Sequence, residues 1–246
     1  MTMSRILVIG GSGFIGGHVV ARLVREGHDV CVPTRMRHRA RRLLLLPTVD
    51  VVEADIHDDR DLDQLVSGCD AVVNLVGILH GRPGSPYGPE FAQAHVALPR
   101  RIADACHKAN VRRLVHFSAL GAKPDAPSEY LRSKAAGEEV LIAARTRVDA
   151  TILRPSVVFG PDDAFLNRFA GLMRWLPVVL LPGADAQFAP VHVSDVAACV
   201  LHCLGDRETI HHHYDLCGPN TYALRELVKF TATASGLWRP VIGLPS

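Results

Sequence analysis

The stretch Ile6-Leu7-Val8-Ile9-Gly10-Gly11-Ser12-Gly13-Phe14-Ile15-Gly16-Gly17 decides the fold. Four apolar residues run into a glycine loop, and a helical pattern follows. Two spacings overlap in the loop. Gly11, Gly13 and Gly16 spell G-x-G-x-x-G, whereas Gly10, Gly13 and Gly16 spell the looser G-x-x-G-x-x-G. A backbone without β-carbons lets a pyrophosphate approach, and a helix starting near Phe14 offers it unpaired N–H groups and a positive dipole end. A glycine triplet alone is weak; strand, loop and helix in this order make it a dinucleotide-binding signal.

Outward from this stretch, short apolar runs alternate with longer periodic ones. Strand-like runs are Ile6–Ile9, Asp29–Pro33, Val49–Ala54, Ala71–Val76, Leu114–Phe117 and Ala150–Leu153. They lack polar alternation, as expected of parallel strands buried on both faces. Helix-like segments span roughly 14–26, 58–67, 90–109 and 129–145. This order predicts an α/β, doubly wound parallel sheet, a Rossmann fold. Pro99 should kink or break the third helix. After Pro155, loops surround one helix near 165–175, and two more helices are expected, capped by Ser194-Asp195 and opened by Thr221. The division read here is a dinucleotide-binding domain over 1–154 and a small C-terminal substrate lobe over 155–246, with residues near 190–217 returning to the sheet.

The chain has 246 residues, 48% hydrophobic and 21% charged, with a net charge of +2. Such a balance argues for neither nucleic acid nor membrane. No apolar run reaches the roughly 18 residues of a spanning helix, so no membrane insertion is expected. The start Met1-Thr2-Met3-Ser4-Arg5 runs straight into a strand and leaves no room for a signal peptide. Six cysteines without a C-x-x-C pair fit reduced, buried thiols in a cytoplasmic protein.

The residues after the second strand select the dinucleotide. An acid there would bind both ribose hydroxyls, but the sequence reads Pro33-Thr34-Arg35-Met36-Arg37-His38-Arg39. A guanidinium fork suits a 2′-phosphate. NADP(H) is therefore expected over NAD(H), with Arg35 as the reader and Arg37, Arg39, Arg41 and Arg42 mostly a solvated face. A broader basic surface would be needed to bind nucleic acid.

Chemistry is signalled further on. Ser118 ends the fifth strand, and Glu129-Tyr130-Leu131-Arg132-Ser133-Lys134 opens a helix that places Tyr130 and Lys134 on one face. A free phenol titrates near ~10. A neighbouring ammonium is expected to lower that value, making Tyr130 a proton donor and acceptor, while Ser118 holds a substrate oxygen and Lys134 reaches the nicotinamide ribose.

With these residues, and with Leu153-Arg154-Pro155-Ser156-Val157-Val158-Phe159-Gly160-Pro161 and Val191-His192-Val193-Ser194-Asp195-Val196-Ala197, nearly the whole chain resembles the short-chain dehydrogenase/reductase superfamily, in its extended or atypical, NAD-dependent epimerase/dehydratase-like branch. Asn74-Leu75-Val76-Gly77, Ser118–Ala122 and Tyr130–Lys134 look most like bacterial relatives of the Rossmann-type accessory subunit of respiratory complex I, a group thought to hold NADPH structurally. The resemblance implies cofactor contacts from Gly10, Gly13, Phe14, Ile15 and Gly16, from Arg35, from Asp55 and Ile56 near the adenine, from Leu75, Val76 and Gly77, and from Lys134, Pro155 and Val158 near the nicotinamide. It implies Ser118, Tyr130 and Lys134 as the catalytic set of an NADP-dependent oxidoreductase with a small-molecule substrate. The alternatives are a non-catalytic NADPH-binding assembly or redox-sensing protein and a nucleotide-sugar epimerase or dehydratase. Partners are expected to be a respiratory complex or further copies of the chain. The end at Pro245-Ser246 is expected to leave the substrate side open.

Several features read as ordinary. His211-His212-His213 is a solvated linker, since neighbours in an extended segment cannot all face one ion. Asp58-Asp59-Arg60-Asp61 is a helix start with favourable dipole charges. Gly81–Pro89 is a flap over the site or a plain surface loop.

Overall fold

The computed structural model describes residues 3–244; the chain ends Met1-Thr2 and Pro245-Ser246, read above, lie outside the described residues. Seven parallel strands form the central sheet: β1 (Arg5–Ile9), β2 (Asp29–Thr34), β3 (Val49–Glu53), β4 (Ala71–Asn74), β5 (Arg113–Phe117), β6 (Asp149–Pro155) and β7 (His213–Leu216). Their spatial order is β3-β2-β1-β4-β5-β6-β7, so the winding direction reverses between β1 and β4. Ligands of such sheets bind in the crevice outside that switch point.

Strand β1 shows why the sheet is covered on both sides. Ile6 and Val8 enter one core with Val19, Val20, Val196 and Val200. Leu7 and Ile9 enter the other with Leu62, Leu98, Ile102 and Leu141. The first core is closed by helices α1 (Phe14–Arg25) and α6 (Val193–Gly205), the second by α2 (Asp59–Val66), α3 (Leu98–Lys108) and α4 (Glu129–Ala143). Each such side chain contributes about 1.5–3 kcal/mol by leaving water. Asp58 caps α2 by accepting from the N–H groups of Arg60 at 2.8 Å and Asp61 at 3.1 Å, as its acidic start suggests.

Pro99 acts through the hydrogen bond it cannot make. Its missing N–H leaves the carbonyl of His95 free, and the run before α3 widens to a π-helix over Ala92–Ala97. Gly137 of α4 packs into the opening so closely that a Cβ there would come within 2.1 Å of the His95 oxygen. The proline thus brings α4 against the widened turn.

Past β6, helices α5 (Phe165–Trp175) and α7 (Leu224–Ala234) and the parallel pair Val179–Pro182 and Val241–Leu244 surround a small core of Met173, Val179, Leu181 and Val228. Four expectations are corrected. Helix α7 begins at Leu224, not Thr221, because Tyr222–Ala223 pairs with Gln187–Phe188 and the Glu226 carboxylate accepts from the Ala223 N–H at 2.7 Å. His192, not Ser194, caps α6, its Nδ1 accepting from the Ser194 N–H at 3.3 Å. His211-His212-His213 is no linker: His213 begins β7, and the His212 carbonyl already accepts from the Ile152 N–H at 3.0 Å. The thiols are all free, but Cys217 is exposed and Cys199 only partly buried.

The glycine loop yields a paired stability prediction. A Cβ on Gly16 would lie 2.2 Å from the Gly10 carbonyl oxygen, whereas one on Gly17 meets nothing within 4 Å. Gly16→Ala is expected to cost about 1–3 kcal/mol through overpacking. Gly17→Ala is expected to gain about 0.5–1 kcal/mol from helix propensity. Urea unfolding of the two variants checks this, and equal midpoints would contradict the packing.

Candidate active site

The first component lies at the switch point. The Leu75 N–H donates to the Ile9 carbonyl at 2.9 Å, carrying the chain past β4 beside the loop after β1. Gly10 holds φ at +86°, in the left-handed region, and a Cβ on it would press the Leu75 backbone at 3.3 Å. Gly11 is wedged against Val32 and the Val8 carbonyl, Gly16 against Gly10. Gly13 precedes α1 without a side-chain cap, and the first turn of α1 contains no acid. Both glycine spacings are therefore used: Gly10, Gly11 and Gly16 for close packing, Gly13 for an open helix start. Phe14 stacks edge-to-face on His18, with ring centres 5.6 Å apart, and Ile15 packs on the core under α1.

Beside this loop is a cavity of about 740 Å³, bordered by Gly11–Phe14, His38, Arg39, Arg41, Arg42 and Asp162 among others. Arg42 pairs with Asp162 at the border of the cavity, linking the segment after β2 to the one after β6. The arginines after β2 are exposed, as expected, and Arg39, Arg41 and Arg42 also border this cavity. Arg35 is exposed outside this lining, and its charge acts on His57, whose pKa is lowered mainly by burial. Asp55 is exposed past β3 and accepts from the His57 N–H at 3.0 Å, while Ile56 packs into the core under α2.

The second component converges on Lys134. Ser128 caps α4 by accepting from the Leu131 N–H at 3.2 Å, which sets the start of the helix that carries Tyr130 and Lys134. Lys134 is 2% exposed, and its Nζ donates to the carbonyls of Val76 at 3.0 Å and Phe117 at 2.9 Å. It thereby ties the segments after β4 and at the end of β5 to α4. A Cβ on Gly77 would come within 3.3 Å of that Nζ. Burial draws the ammonium down to about 7, against the attraction of Glu138. Ser118, next to Phe117, is buried; its N–H donates to the Leu153 carbonyl at 2.8 Å. The Ser118 hydroxyl has no hydrogen-bond partner among the described residues. Across the crevice, the Pro155 carbonyl accepts from the Leu120 N–H at 3.0 Å, and Val158 pairs with Val191.

Tyr130 lies partly buried one turn before Lys134. The expected lowering of its phenol pKa is corrected: burial raises it, because the Lys134 ammonium is turned into the carbonyls below. The residue that reaches Tyr130 is His95, edge-to-face with ring centres 5.5 Å apart. His95 Nε2 accepts from the Ile78 N–H at 3.1 Å, which places the proton on Nδ1 to donate to Ser133 Oγ at 2.8 Å. Ser133 donates in turn to the Tyr130 carbonyl at 2.8 Å. Burial holds His95 neutral, down to about 3. Sequence reading missed His95; the available signal was a histidine one turn before Pro99 on the buried side of a helix. The Gly81–Pro89 segment is pinned to this helix, with Glu129 accepting from the N–H groups of Gly84 at 3.1 Å and Gly88 at 2.8 Å.

These features fit a dinucleotide: a glycine cradle that β-carbons would fill, an uncapped helix start, and a buried serine hydroxyl without a partner. A family model described as NAD dependent epimerase/dehydratase family matches residues 6–217. Mitochondrial NADH dehydrogenase (ubiquinone) 1 alpha subcomplex subunit 9 of Mus musculus is 34% identical over 229 residues, which are 91% of this chain and 59% of that protein. The ceramide reductase of Caulobacter vibrioides is 29% identical over 78% of this chain and 58% of its own length. The chain thus spans about three fifths of these curated relatives. A dTDP-glucose 4,6-dehydratase of Streptomyces venezuelae, the DesIV double mutant solved with NAD, shares the fold with a TM-score of 0.85 at 23% identity, over 98% of this chain and 84% of that one.

Lys134 predicts a pH signature. Unfolded, it keeps its proton to about 10.5; folded, it releases it near 7. Between those values unfolding takes up a proton, so this group makes stability rise with pH, and its cost is present in full below about 7. Relative to Lys134→Met, the wild type should gain up to about 1.4 kcal/mol per pH unit across that window. Urea titrations at several pH values measure this, and a pH-independent difference would contradict it.

Proposed function

The chain belongs to the NAD dependent epimerase/dehydratase family, and from that premise we propose that it is an NADP(H)-dependent oxidoreductase in which Tyr130 transfers the proton. The carrying observation is Lys134, held between the carbonyls of Val76 and Phe117 beside the unpartnered hydroxyl of Ser118. When bound, the nicotinamide supplies or accepts the hydride. Gly10–Gly16 receives the pyrophosphate at the start of α1, with Phe14 and Ile15 fixing that start. Leu75, Val76 and Gly77 flank the cofactor on the β4 side, Pro155 and Val158 on the β6 side, and Asp55 and Ile56 border the adenine. Ser118 donates a hydrogen bond to the substrate oxygen. Tyr130 gives its proton to that oxygen in reduction and takes it back in oxidation, while Lys134 would hold the ribose hydroxyls.

Selection of NADP(H) falls to the arginines after β2. Arg35 is the first reader, and Arg39, bordering the cavity at Gly11–Phe14, is the second. Arg42 is engaged by Asp162. A second reading, a component that keeps NADPH within a respiratory assembly, is favoured by burial raising the Tyr130 pKa and by the mouse relative, a named NADH dehydrogenase subunit.

Binding titrations of NADPH against NADH test the cofactor. NADPH is expected to bind at least about tenfold tighter, and Arg35→Asp together with Arg39→Asp to erase the difference. Equal affinities, unchanged by the substitutions, would overturn it. With a carbonyl substrate found by screening, Tyr130→Phe is expected to lower turnover by about 10²–10⁴-fold while NADPH binding stays within about twofold. Undiminished turnover in that variant removes the Tyr130 role. No turnover of any carbonyl, with a respiratory complex recovered alongside the NADPH-loaded protein, selects the second reading.

A further inference from the structure

Close to Lys134 the sheet carries a buried histidine that the proposed mechanism does not use. Asn74 ends β4, His116 stands opposite it on β5, and each is 1% exposed. Chemistry leaves one arrangement of the pair. The Val76 N–H can only donate, so the amide oxygen of Asn74 accepts from it, at 3.1 Å. The amide nitrogen of Asn74 then donates to His116 Nδ1, also at 3.1 Å. The single proton of the neutral ring therefore sits on Nε2, which has no hydrogen-bond partner among the described residues. Burial keeps the ring from taking a second proton, which would occupy Nδ1 and break the pair. An unpaired buried N–H is costly, and a leucine would fill the space without it. What a leucine lacks is the acceptor on the other nitrogen.

That acceptor acts on the backbone that holds Lys134. Val76 is bound at both of its backbone polar groups, its N–H by Asn74 and its carbonyl by Lys134 Nζ at 3.0 Å. Leu75 before it is held by the Ile9 carbonyl, and Ile78 beyond it by His95 Nε2. An unrestrained asparagine amide can turn either end toward a neighbour. His116 accepts only from the nitrogen, and so keeps the oxygen on Val76. The charge that acts on Lys134 comes from Glu138 of its own helix, which is paired with Arg154 of β6. His95 and His116 face Lys134 as neutral rings, from the helix before α3 and from β5.

We propose that His116 and Asn74 are positioning residues for Lys134: His116 orients the Asn74 amide, Asn74 holds the Val76 N–H, and the Val76 carbonyl so placed fixes Nζ. The assignment rests on the reading of Lys134 as the group that meets the cofactor ribose, and adds the residues that set where it stands. The full chain carrying isotope-labelled lysine is titrated without nucleotide, and the Lys134 Cε signal is followed by NMR. Lys134→Met identifies that signal among the four lysines. The wild type is expected to titrate at about 7. His116→Leu removes the acceptor, frees the Asn74 amide and loosens the Val76 carbonyl. With one acceptor of its charged form weakened, Lys134 is expected to titrate at least about one pH unit lower. His116→Asn puts an amide oxygen at the Nδ1 position and is expected to restore the wild-type midpoint. A merely structural role would lower the thermal midpoint and leave the Lys134 titration where it was. If His116→Leu does not fold, Asn74→Leu with His116→Leu decides, since removing both partners leaves no orphaned amide, and the same downward shift is expected. An unchanged or raised midpoint in the folded variant, or no restoration by His116→Asn, overturns the proposal. NADPH binding by Lys134→Met tests the underlying reading separately. If the titration shifts as expected while that variant binds NADPH as the wild type does, the positioning stands and the ribose role of Lys134 falls.

Discussion

The contact between Gly16 and the carbonyl of Gly10 governs the rest of the sheet edge. With room for no β-carbon, α1 settles directly on the loop after β1, and its first turn is left uncapped toward the crevice. The same loop backs onto Leu75 through Gly10, so β1 and β4 open the crevice together. Lys134 then crosses from α4 to bind Val76, one residue past Leu75, and Phe117 at the end of β5. A line of close backbone approaches thus runs from the glycine loop to the Tyr130 helix. The two components are thereby joined through backbone contacts, the arrangement that positioning chemistry requires.

A second constraint works from beneath. Pro99 forfeits one hydrogen bond, and the fold uses the freed His95 carbonyl as the place where Gly137 lets α4 approach. The same turn aims the His95 ring at Ile78, Ser133 and Tyr130. One helix irregularity therefore sets both the depth of α4 and the surroundings of its tyrosine. Such π-segments recur at functional sites because they re-aim side chains that a regular helix would point elsewhere.

What was legible in the sequence is what local chemistry dictates. Unalternated Val, Ile and Leu runs at regular intervals between helical patterns read as strands covered on both faces, and a glycine loop between strand and helix reads as a close backbone approach. Ser118, Tyr130 and Lys134 were readable because helical spacing and strand order bring them toward one edge. His95 was not, since its role depends on a bond missing three-dimensionally and on Ser133 one element away. That Arg39, Arg41 and Arg42 border the cavity at Gly11–Phe14 was not readable, because it depends on a short 3-10 turn over Arg37–Ala40 that swings them back toward the loop. The start of α7 moved because Tyr222–Ala223 found a strand partner that no local pattern announces.

The electrostatics divide the site into a charged rim and a neutral floor. Arg39 and Arg41 stand exposed at the rim and Arg35 outside it, where water shares the cost of their charge. On the floor, burial pushes four groups toward their uncharged forms: Lys134 down to about 7, His95 down to about 3, His116 well below its usual range, Tyr130 upward. Glu138 and Arg154 pair there through two hydrogen bonds, one of them 2.8 Å from Nε. Of the floor's groups only Lys134, drawn down to about 7, lies near balance at neutral pH, and an approaching negative charge would favour its ammonium form.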